Sequence, residues 1–246
     1  MDAVRAGIIK QSVLDERRLV LPEQIFRELY FNEPSEDGGN PFGLQHIAAC
    51  VGDLSGEPAT VFGVDLAKSV DWTVVIGLDS NMRVSVFERW QHEPWDRTSE
   101  RILSIVGDRP AYVDSTGVGD PIAETMQRKA FGIEGFKFTN QSKQQIMEGL
   151  AVRIQSHGVG FPDGVIRYEL DNFEYDTERG RAFYSAAEGY HDDCVCALAL
   201  AVERARAFTP LVASWSGNPR PVAVQSEDIV VDFAKLRADP EFGFVE

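Results

Sequence analysis

The 246-residue sequence predicts an α/β fold in which a mixed central sheet carries helices on both faces. Three runs of strand-forming residues, 60–65, 72–79 and 84–90, follow one another with only short turns between them, which is typical of an antiparallel meander. From residue 96 onwards, helical and strand patterns alternate. This alternation adds strands through crossover connections and places the intervening helices against the sheet.

The first strand run delivers an acidic residue to the edge of the sheet. Residues 60–65 are strand formers interrupted by Gly63, and their apolar character ends at Asp65. Such a run predicts a central strand covered on both faces, so that its terminal carboxylate lies in a cleft. The later pattern predicts helices at 96–106, 121–130, 142–156, 165–173 and 189–204, strands at 110–116 and 133–139, and a hairpin around 175–184.

Composition and charge exclude several classes of protein. An apolar content of 43% suffices for a buried core, and neither a membrane-spanning run nor a signal-peptide pattern is present. We therefore expect a soluble protein with reduced, buried cysteines, because Cys50, Cys194 and Cys196 lack the paired spacing of a zinc or disulfide framework. The net charge of −15 argues against nonspecific nucleic-acid binding by bulk electrostatics. Binding to DNA would require a local basic surface and divalent metal.

The sequence divides into three predicted regions. Residues 1–58 form an N-terminal segment with an amphipathic helix at 22–31 and a short helix at 44–51, and they act either as a solvated connector or as a docking arm. Residues 59–208 form the folded domain. Residues 209–246 form an acidic tail that is either a partner-binding segment or disordered, and disorder is favoured.

Three aspartates stand at the ends of predicted elements. Asp65 ends the first strand and Asp114 ends the fourth, while Asp193, with Asp192 beside it, lies in the first turn of the last long helix. Each alone is most often a turn former or a helix cap. If the first and fourth strands are neighbours, however, the carboxylates converge at one edge of the sheet.

Crowded carboxylates repel one another unless cations neutralise them. Oxygen ligands in this number favour Mg²⁺ or Mn²⁺. Two such ions about 4 Å apart can hold a phosphodiester for in-line attack by water. The pattern therefore predicts metal-assisted phosphodiester hydrolysis.

Four blocks of the sequence resemble the C-terminal nuclease domain of the tailed-bacteriophage terminase large subunit. They are GVDLA at 63–67, VDSTGVGD at 113–120, SK at 142–143 and YHDDCVCALALA at 190–201. The resemblance implies an RNase H-like fold between about residues 61 and 206. It further implies an endonuclease that cuts concatemeric double-stranded viral DNA with little sequence preference during packaging. Its metal ligands would be Asp65, Asp114 and Asp193, with Asp192 at an adjacent acidic position.

The same resemblance implies partners and a location. The family's full-length protein carries an ATPase motor, but the sequence contains no Gly-Lys pair and therefore no P-loop. Residues 1–58 would then join the two halves. Portal protein and the small terminase subunit are the expected protein partners, in the cytoplasm of the infected bacterial host.

Basic residues, and residues that would lie around the metal ligands without binding the metal, are weaker candidates for the site. Lys143 lies in a family-like block, where it either contacts a phosphate of the DNA or is a solvated lysine at the end of a helix. Glu169 is a candidate acidic residue outside the set of metal ligands. His191 is a candidate ligand or outer residue, although capping or packing is favoured. Further candidates for the DNA backbone or groove are Lys68, Arg128, Lys129, Lys137, Arg179 and Arg181.

Two other functions stay open at this level. One is a related junction resolvase or recombinase nuclease, which would need a dimer interface and a branched substrate. The other is a non-catalytic packaging module that binds only portal or DNA.

Overall fold

The structure is a computed structural model that describes residues 9–20, 26–27, 30–31, 39–66, 71–117, 119–178 and 181–208. The predicted acidic tail at 209–246 therefore lies outside the described residues, as do Lys68 and Arg179. Within the predicted amphipathic helix at 22–31, the four described residues are helical. The three-region division stays a prediction.

A five-stranded mixed sheet forms the centre of the molecule, as predicted. The first three strands pair antiparallel, and the fourth and fifth run parallel to the first, in the order β3-β2-β1-β4-β5. The strands are β1 (Val61–Asp65), β2 (Thr73–Leu78), β3 (Val84–Trp90), β4 (Ala111–Asp114) and β5 (Ile133–Phe136).

Helices and one separate hairpin surround the sheet. The hairpin consists of β6 (Phe173–Glu178) and β7 (Arg181–Ala186), close to its predicted place. Among the residues that the structure describes, no helix combines the length and the apolarity required to cross a membrane. The described helices are α1 (Gln11–Val20), α2 (Leu44–Cys50), α3 (Trp95–Val106), α4 (Gly119–Gln127), α5 (Asn140–Gln155), α6 (Val165–Asp171) and α7 (Asp193–Phe208).

Alternating residues of the strands feed two hydrophobic cores, one on each face of the sheet. Ile76 of β2 belongs to the larger core, which α5, α6 and α7 cover, whereas the adjacent Val75 belongs to the smaller core, which α3 and α4 cover. Helices on both faces are therefore confirmed. The three cysteines are buried and free, as expected.

The approach of α7 to the central strand is unusually close. A Cβ atom on Gly63 would overlap the backbone of Ala197 and Ala201 on α7. Small residues along this helix, together with a glycine in the strand, let the two backbones meet directly. The glycine that interrupts the first strand run thus seats the helix that carries Asp193.

Several predicted boundaries are wrong, and two of them have a clear local cause. The last long helix begins at Asp193 rather than at residue 189, because Gly189 has a φ of 86° and the chain turns there before it enters the helix. The fifth strand ends at Phe136 rather than at residue 139, because Thr139 is the N-cap of the next helix. A reciprocal capping box between Thr139 and Ser142 starts α5.

The described residues just before β1 pack against the sheet domain. Phe42 and Ile47 are fully buried in the larger core. The side-chain amide of Asn40 donates a hydrogen bond of 2.8 Å to the carbonyl of Leu170 in α6. This part of the chain is therefore anchored to the fold.

Replacing Gly63 by alanine should destabilise the protein by about 2 kcal/mol or more, because the new methyl group overlaps the α7 backbone, which cannot move without opening the core. Denaturant unfolding measures the change. Gly149→Ala is the control, since a Cβ there meets nothing within 4 Å, and it should raise stability by about 0.5–1 kcal/mol. Equal effects of the two substitutions would contradict the close approach.

Candidate metal centre

Two of the predicted aspartates lie side by side at the carboxyl ends of adjacent parallel strands. Val64 of β1 pairs with Val113 of β4, so the next residues, Asp65 and Asp114, end the two strands at the same edge. Asp65 is 9% exposed and Asp114 is 2% exposed. Oδ1 of Asp114 accepts a hydrogen bond of 2.8 Å from the backbone N–H of Thr116, which orients this carboxylate.

The third aspartate arrives on α7. Asp193 is the first residue of the helix and is 6% exposed. Its Oδ2 accepts a hydrogen bond of 3.3 Å from the backbone N–H of Trp72, just before β2. Because α7 packs directly on β1, its amino terminus lies at the edge where Asp65 and Asp114 end.

All five predicted site residues line one pocket. The pocket has a volume of about 220 Å³ and contains five aspartates in total. Four of the lining residues were not among the candidates predicted from the sequence, namely Asp71, Phe138, Tyr190 and Cys196. The lining residues are Asp65, Leu66, Asp71, Asp114, Phe138, Lys143, Tyr190, His191, Asp192, Asp193 and Cys196.

A compact set of possible ligands lies within this pocket. One ligand atom from each of Asp71, His191 and Asp193 falls within 4.8 Å of the other two, and within the described ranges this is the single set of three such residues at that spacing. A set made of Asp65, Asp114 and Asp193 is therefore more widely spaced than one ion requires. Nδ1 of His191 lies 3.6 Å from Oδ2 of Asp193.

Strand pairing could have identified Asp71 from the sequence. In an antiparallel meander the start of the second strand lies beside the end of the first, and Asp65 does pair with Val74. Asp71 is only three residues before Val74. It therefore belongs to the same sheet edge as the predicted aspartates.

Lys143 provides the basic side chain of the pocket. Its Nζ lies 2.8 Å from Oδ2 of Asp192, and both side chains are partly exposed. Burial works against the charged form, but Cys196, Asp192 and Asp65 together outweigh it and raise the pKa of Lys143. The lysine is therefore protonated in the folded protein at neutral pH.

The carboxyl group of Asp193 holds its proton unusually strongly. Burial is the main cause, and the hydrogen bond from Trp72 N–H opposes it. Repulsion from Glu169, Asp71 and Asp192 adds to the effect of burial, and the pKa of Asp193 rises to about 6. A carboxylate in this condition is stabilised by any cation that replaces the proton.

The donor set suits a divalent cation. Unit charges about 4–5 Å apart repel by roughly 3–4 kcal/mol at an effective dielectric constant near 20. Among the described lining residues, one lysine faces five aspartates, so the pocket carries excess negative charge. Carboxylate oxygens with a single imidazole are ligands for Mg²⁺, Mn²⁺ and related ions.

The remaining candidates lie in three places. Lys137 follows β5 and is exposed at the same edge of the sheet as Asp114. Arg128 and Lys129 precede β5 and lie at the opposite edge, away from the pocket. Glu169 lies behind the pocket, where its Oε2 accepts a hydrogen bond of 2.6 Å from Cys194 N–H.

Solved structures with similar folds are phage proteins. The large terminase nuclease from thermophilic phage G20c with bound magnesium matches with a TM-score of 0.60 and 24% identity, over 70% of this chain and 99% of that chain. The same nuclease with bound cobalt matches with a TM-score of 0.59 and 25% identity, over 70% of this chain and 99% of that chain. The large terminase from a second thermophilic bacteriophage matches with a TM-score of 0.58 and 10% identity, over 79% of this chain and 52% of that chain.

The chain has the fold of a phage large-terminase nuclease. The resemblance predicted from the four sequence blocks is thereby confirmed, and with it the RNase H-like mixed sheet. No protein-family model matches the sequence, and no curated protein does. In this terminase-nuclease fold, the acidic pocket lies where β1, β4 and α7 meet.

Without divalent metal, Asp193→Asn should gain stability relative to the wild type as pH rises from 4 to 7. The folded-state pKa of Asp193, about 6, lies above its ordinary value of 3.8, so the folded wild type binds more protons than the unfolded chain. The free energy of unfolding of the wild type therefore falls between pH 4 and pH 7, by on the order of 2–3 kcal/mol. The variant has no carboxyl group at this position and lacks this loss. Denaturant unfolding at both pH values measures the difference.

The control for this experiment is Asp53→Asn, which changes an exposed aspartate away from the pocket. The gain in stability over this pH range should be seen with Asp193→Asn and not with this control. A pH-independent difference for Asp193→Asn would contradict the raised pKa.

Proposed function

We propose that this chain is a metal-dependent endonuclease that cleaves concatemeric double-stranded viral DNA during genome packaging, with little sequence preference. The observation that carries the proposal is the acidic pocket of five aspartates and one lysine in a terminase-nuclease fold. A non-catalytic module would have no use for buried carboxylates that repel one another. The pocket is therefore best explained as a centre for phosphodiester hydrolysis.

The proposed ligands are Asp65, Asp114, Asp192 and Asp193, with Mg²⁺ or Mn²⁺ as the cation and two ions as the expected number. Asp71 and His191 extend this set on the side of Asp193. Divalent ions bound there supply activation of the attacking water and stabilisation of the charge that develops on the phosphate. The relatives from phage G20c, which contain magnesium or cobalt, support a divalent cation.

The protein's own residues set the geometry for this chemistry. The parallel pairing of β1 and β4 holds Asp65 and Asp114 together, and the close packing of α7 brings Asp193 to them. Burial keeps water from screening these charges, so a cation binds more strongly than it would to exposed carboxylates. Lys143 places a permanent positive charge at the pocket, where it can contact a phosphate oxygen of the substrate.

DNA binding by this chain is expected to be weak and to fall with salt. The net charge is −15, so attraction to the phosphate backbone depends on local residues such as Lys137 and Lys143 and on the bound metal. Nanomolar affinity without metal would contradict this expectation. Weak intrinsic binding fits a nuclease that is held on its substrate by other components.

Those components are the proposed partners. An ATPase motor, the portal protein and the small terminase subunit would present the DNA in the cytoplasm of the infected bacterial host. The match covers only about half of the large terminase from the second thermophilic bacteriophage, so that protein has a further region of similar size outside the nuclease fold. Residues 1–58 would connect to that motor, residues 59–208 would form the nuclease, and residues 209–246 would form a tail.

Asp65→Asn and Asp114→Asn should each reduce cleavage of plasmid DNA in Mg²⁺ or Mn²⁺ by more than about 100-fold, because each removes a ligand charge from the pocket. Chelator should abolish cleavage by the wild type. Conversion of supercoiled plasmid to nicked and linear forms measures the rate, and thermal unfolding confirms that each variant is folded.

Asp108→Asn, which alters an exposed aspartate in the turn before β4, is the matched control and should cleave at the wild-type rate. A folded wild type that leaves plasmid intact in every divalent metal would overturn the proposal in favour of a binding module. Preferential cutting of four-way junctions over linear duplex would indicate a resolvase instead.

Lys143→Met should slow cleavage by about 100-fold while it tightens Mn²⁺ binding by up to about tenfold. The slower cleavage follows from loss of a positive contact to the phosphate. The tighter binding follows from removal of a cation that repels the metal and pairs with Asp192. Single-turnover cleavage and calorimetric titration with Mn²⁺ measure the two quantities.

Lys137→Met is the comparison, because it removes an exposed lysine from the same edge without a described contact to the carboxylates. It should leave Mn²⁺ affinity unchanged. If Lys143→Met weakens both metal binding and cleavage, the lysine serves mainly to hold Asp192 in place.

A further inference from the structure

A closed chain of contacts behind the pocket ties the first turn of α7 to three other segments. Oε2 of Glu169, on α6, accepts the hydrogen bond of 2.6 Å from the backbone N–H of Cys194. Oε1 of the same carboxylate lies 3.4 Å from Nη2 of Arg89, on β3. Glu169 is only 2% exposed, so both contacts are inside the protein.

The chain of contacts returns to α7 through Trp72. The guanidinium carbon of Arg89 lies 3.9 Å from the centre of the Trp72 ring, a cation–π contact. The backbone N–H of Trp72 donates its hydrogen bond to Oδ2 of Asp193. The residues before and after the Asp193–Cys194 peptide bond are therefore both held from outside the helix.

This arrangement is poorly explained by stability alone. Within the described residues, Oε1 of Glu169 and Nε of Arg89 are buried and have no hydrogen-bond partner. Removing two charges from water carries a large desolvation cost, and a buried pair with incomplete hydrogen bonding is often no more stable than apolar side chains of the same size. The position of the pair, against the residues that line the pocket, points to a role there.

The helix start shows what that role is. Asp192 is the residue before α7, and an aspartate in this position normally accepts a hydrogen bond from the N–H of the second or third helical residue. The second helical residue is Cys194, whose N–H is taken by Glu169 instead. The Asp192 carboxylate faces the pocket, where it pairs with Lys143.

We propose that Glu169 is a positioning residue that caps α7 in place of Asp192, so that the Asp192 carboxylate faces the pocket beside Lys143 and Asp193. Arg89 holds the Glu169 carboxylate, and Trp72 links the same arginine to Asp193. The inference rests on the proposed function, since the direction of the Asp192 carboxylate matters only if the pocket binds a cation.

Two conservative substitutions separate capping from charge. Glu169→Gln keeps the reach and an acceptor oxygen but removes the charge, whereas Glu169→Asp keeps the charge but shortens the side chain by one methylene. With Glu169→Asp, Cys194 N–H loses its acceptor, and Asp192 turns back to cap the helix. Mn²⁺ affinity should then fall at least tenfold, while Glu169→Gln should stay within about threefold of the wild type.

The measurements are Mn²⁺ titration by electron paramagnetic resonance, thermal unfolding without metal, and hydrogen exchange of the Cys194 amide in the metal-free protein. Exchange should stay slow in Glu169→Gln and accelerate in Glu169→Asp, because the partly exposed Asp192 shields the amide from water less well than the buried Glu169 does. For DNA cleavage, Glu169→Asp should lower kcat and leave KM within about twofold. Glu134→Asp is the control, because Glu134 contacts the other end of α7 through Arg204, at 3.0 Å, and should leave Mn²⁺ affinity unchanged.

The outcomes distinguish this inference from the proposed function. A wild type that binds no Mn²⁺ overturns the metal centre itself. A wild type that binds Mn²⁺, together with a folded Glu169→Asp that binds it equally well, overturns only the positioning role. Weaker binding by Glu169→Gln than by Glu169→Asp would show that charge matters rather than capping, and would also overturn the inference.

Discussion

The direct contact between α7 and the central strand is the constraint on which the candidate site depends. At Gly63 the helix backbone lies against the strand backbone, with Ala197 and Ala201 facing a residue that has no side chain. This separation places the start of α7 beside the ends of β1 and β4. A larger residue in the strand would move Asp193 away from Asp65, so packing deep in the core controls distances at the surface.

The aspartates of the acidic pocket repel one another, and the stability of the rest of the fold offsets this repulsion. Five aspartates and one lysine share a volume of about 220 Å³, and burial raises the pKa of Asp193 to about 6. Hydrogen bonds from backbone N–H groups offset part of this repulsion. Thr116 N–H donates to Asp114, and Trp72 N–H donates to Asp193. The fold thus tolerates a local cost in stability in exchange for strong attraction of cations, which is typical of functional sites.

Support for the pocket comes from elements remote in sequence. Asp65 and Asp114 depend on the pairing of strands nearly 50 residues apart, and Asp192 contacts Lys143 on a different helix. Glu169 supplies an acceptor to the helix that carries the aspartates. Such a site can be precise because each carboxylate is set by an element that is itself buried and packed on the sheet.

The sequence by itself determined the mixed sheet with helices on both faces, and it identified Asp65, Asp114, Asp192, Asp193 and Lys143, which line one pocket. The aspartates could be identified because strand and helix periodicities are local and locate strand ends and helix starts, whereas Lys143 was identified from its family-like block. Only the tertiary structure decided that Asp71 and His191 lie within ligand distance of Asp193, and that Glu169 rather than Asp192 caps α7. Those facts depend on which side chains meet across distant segments, and no local pattern encodes such contacts.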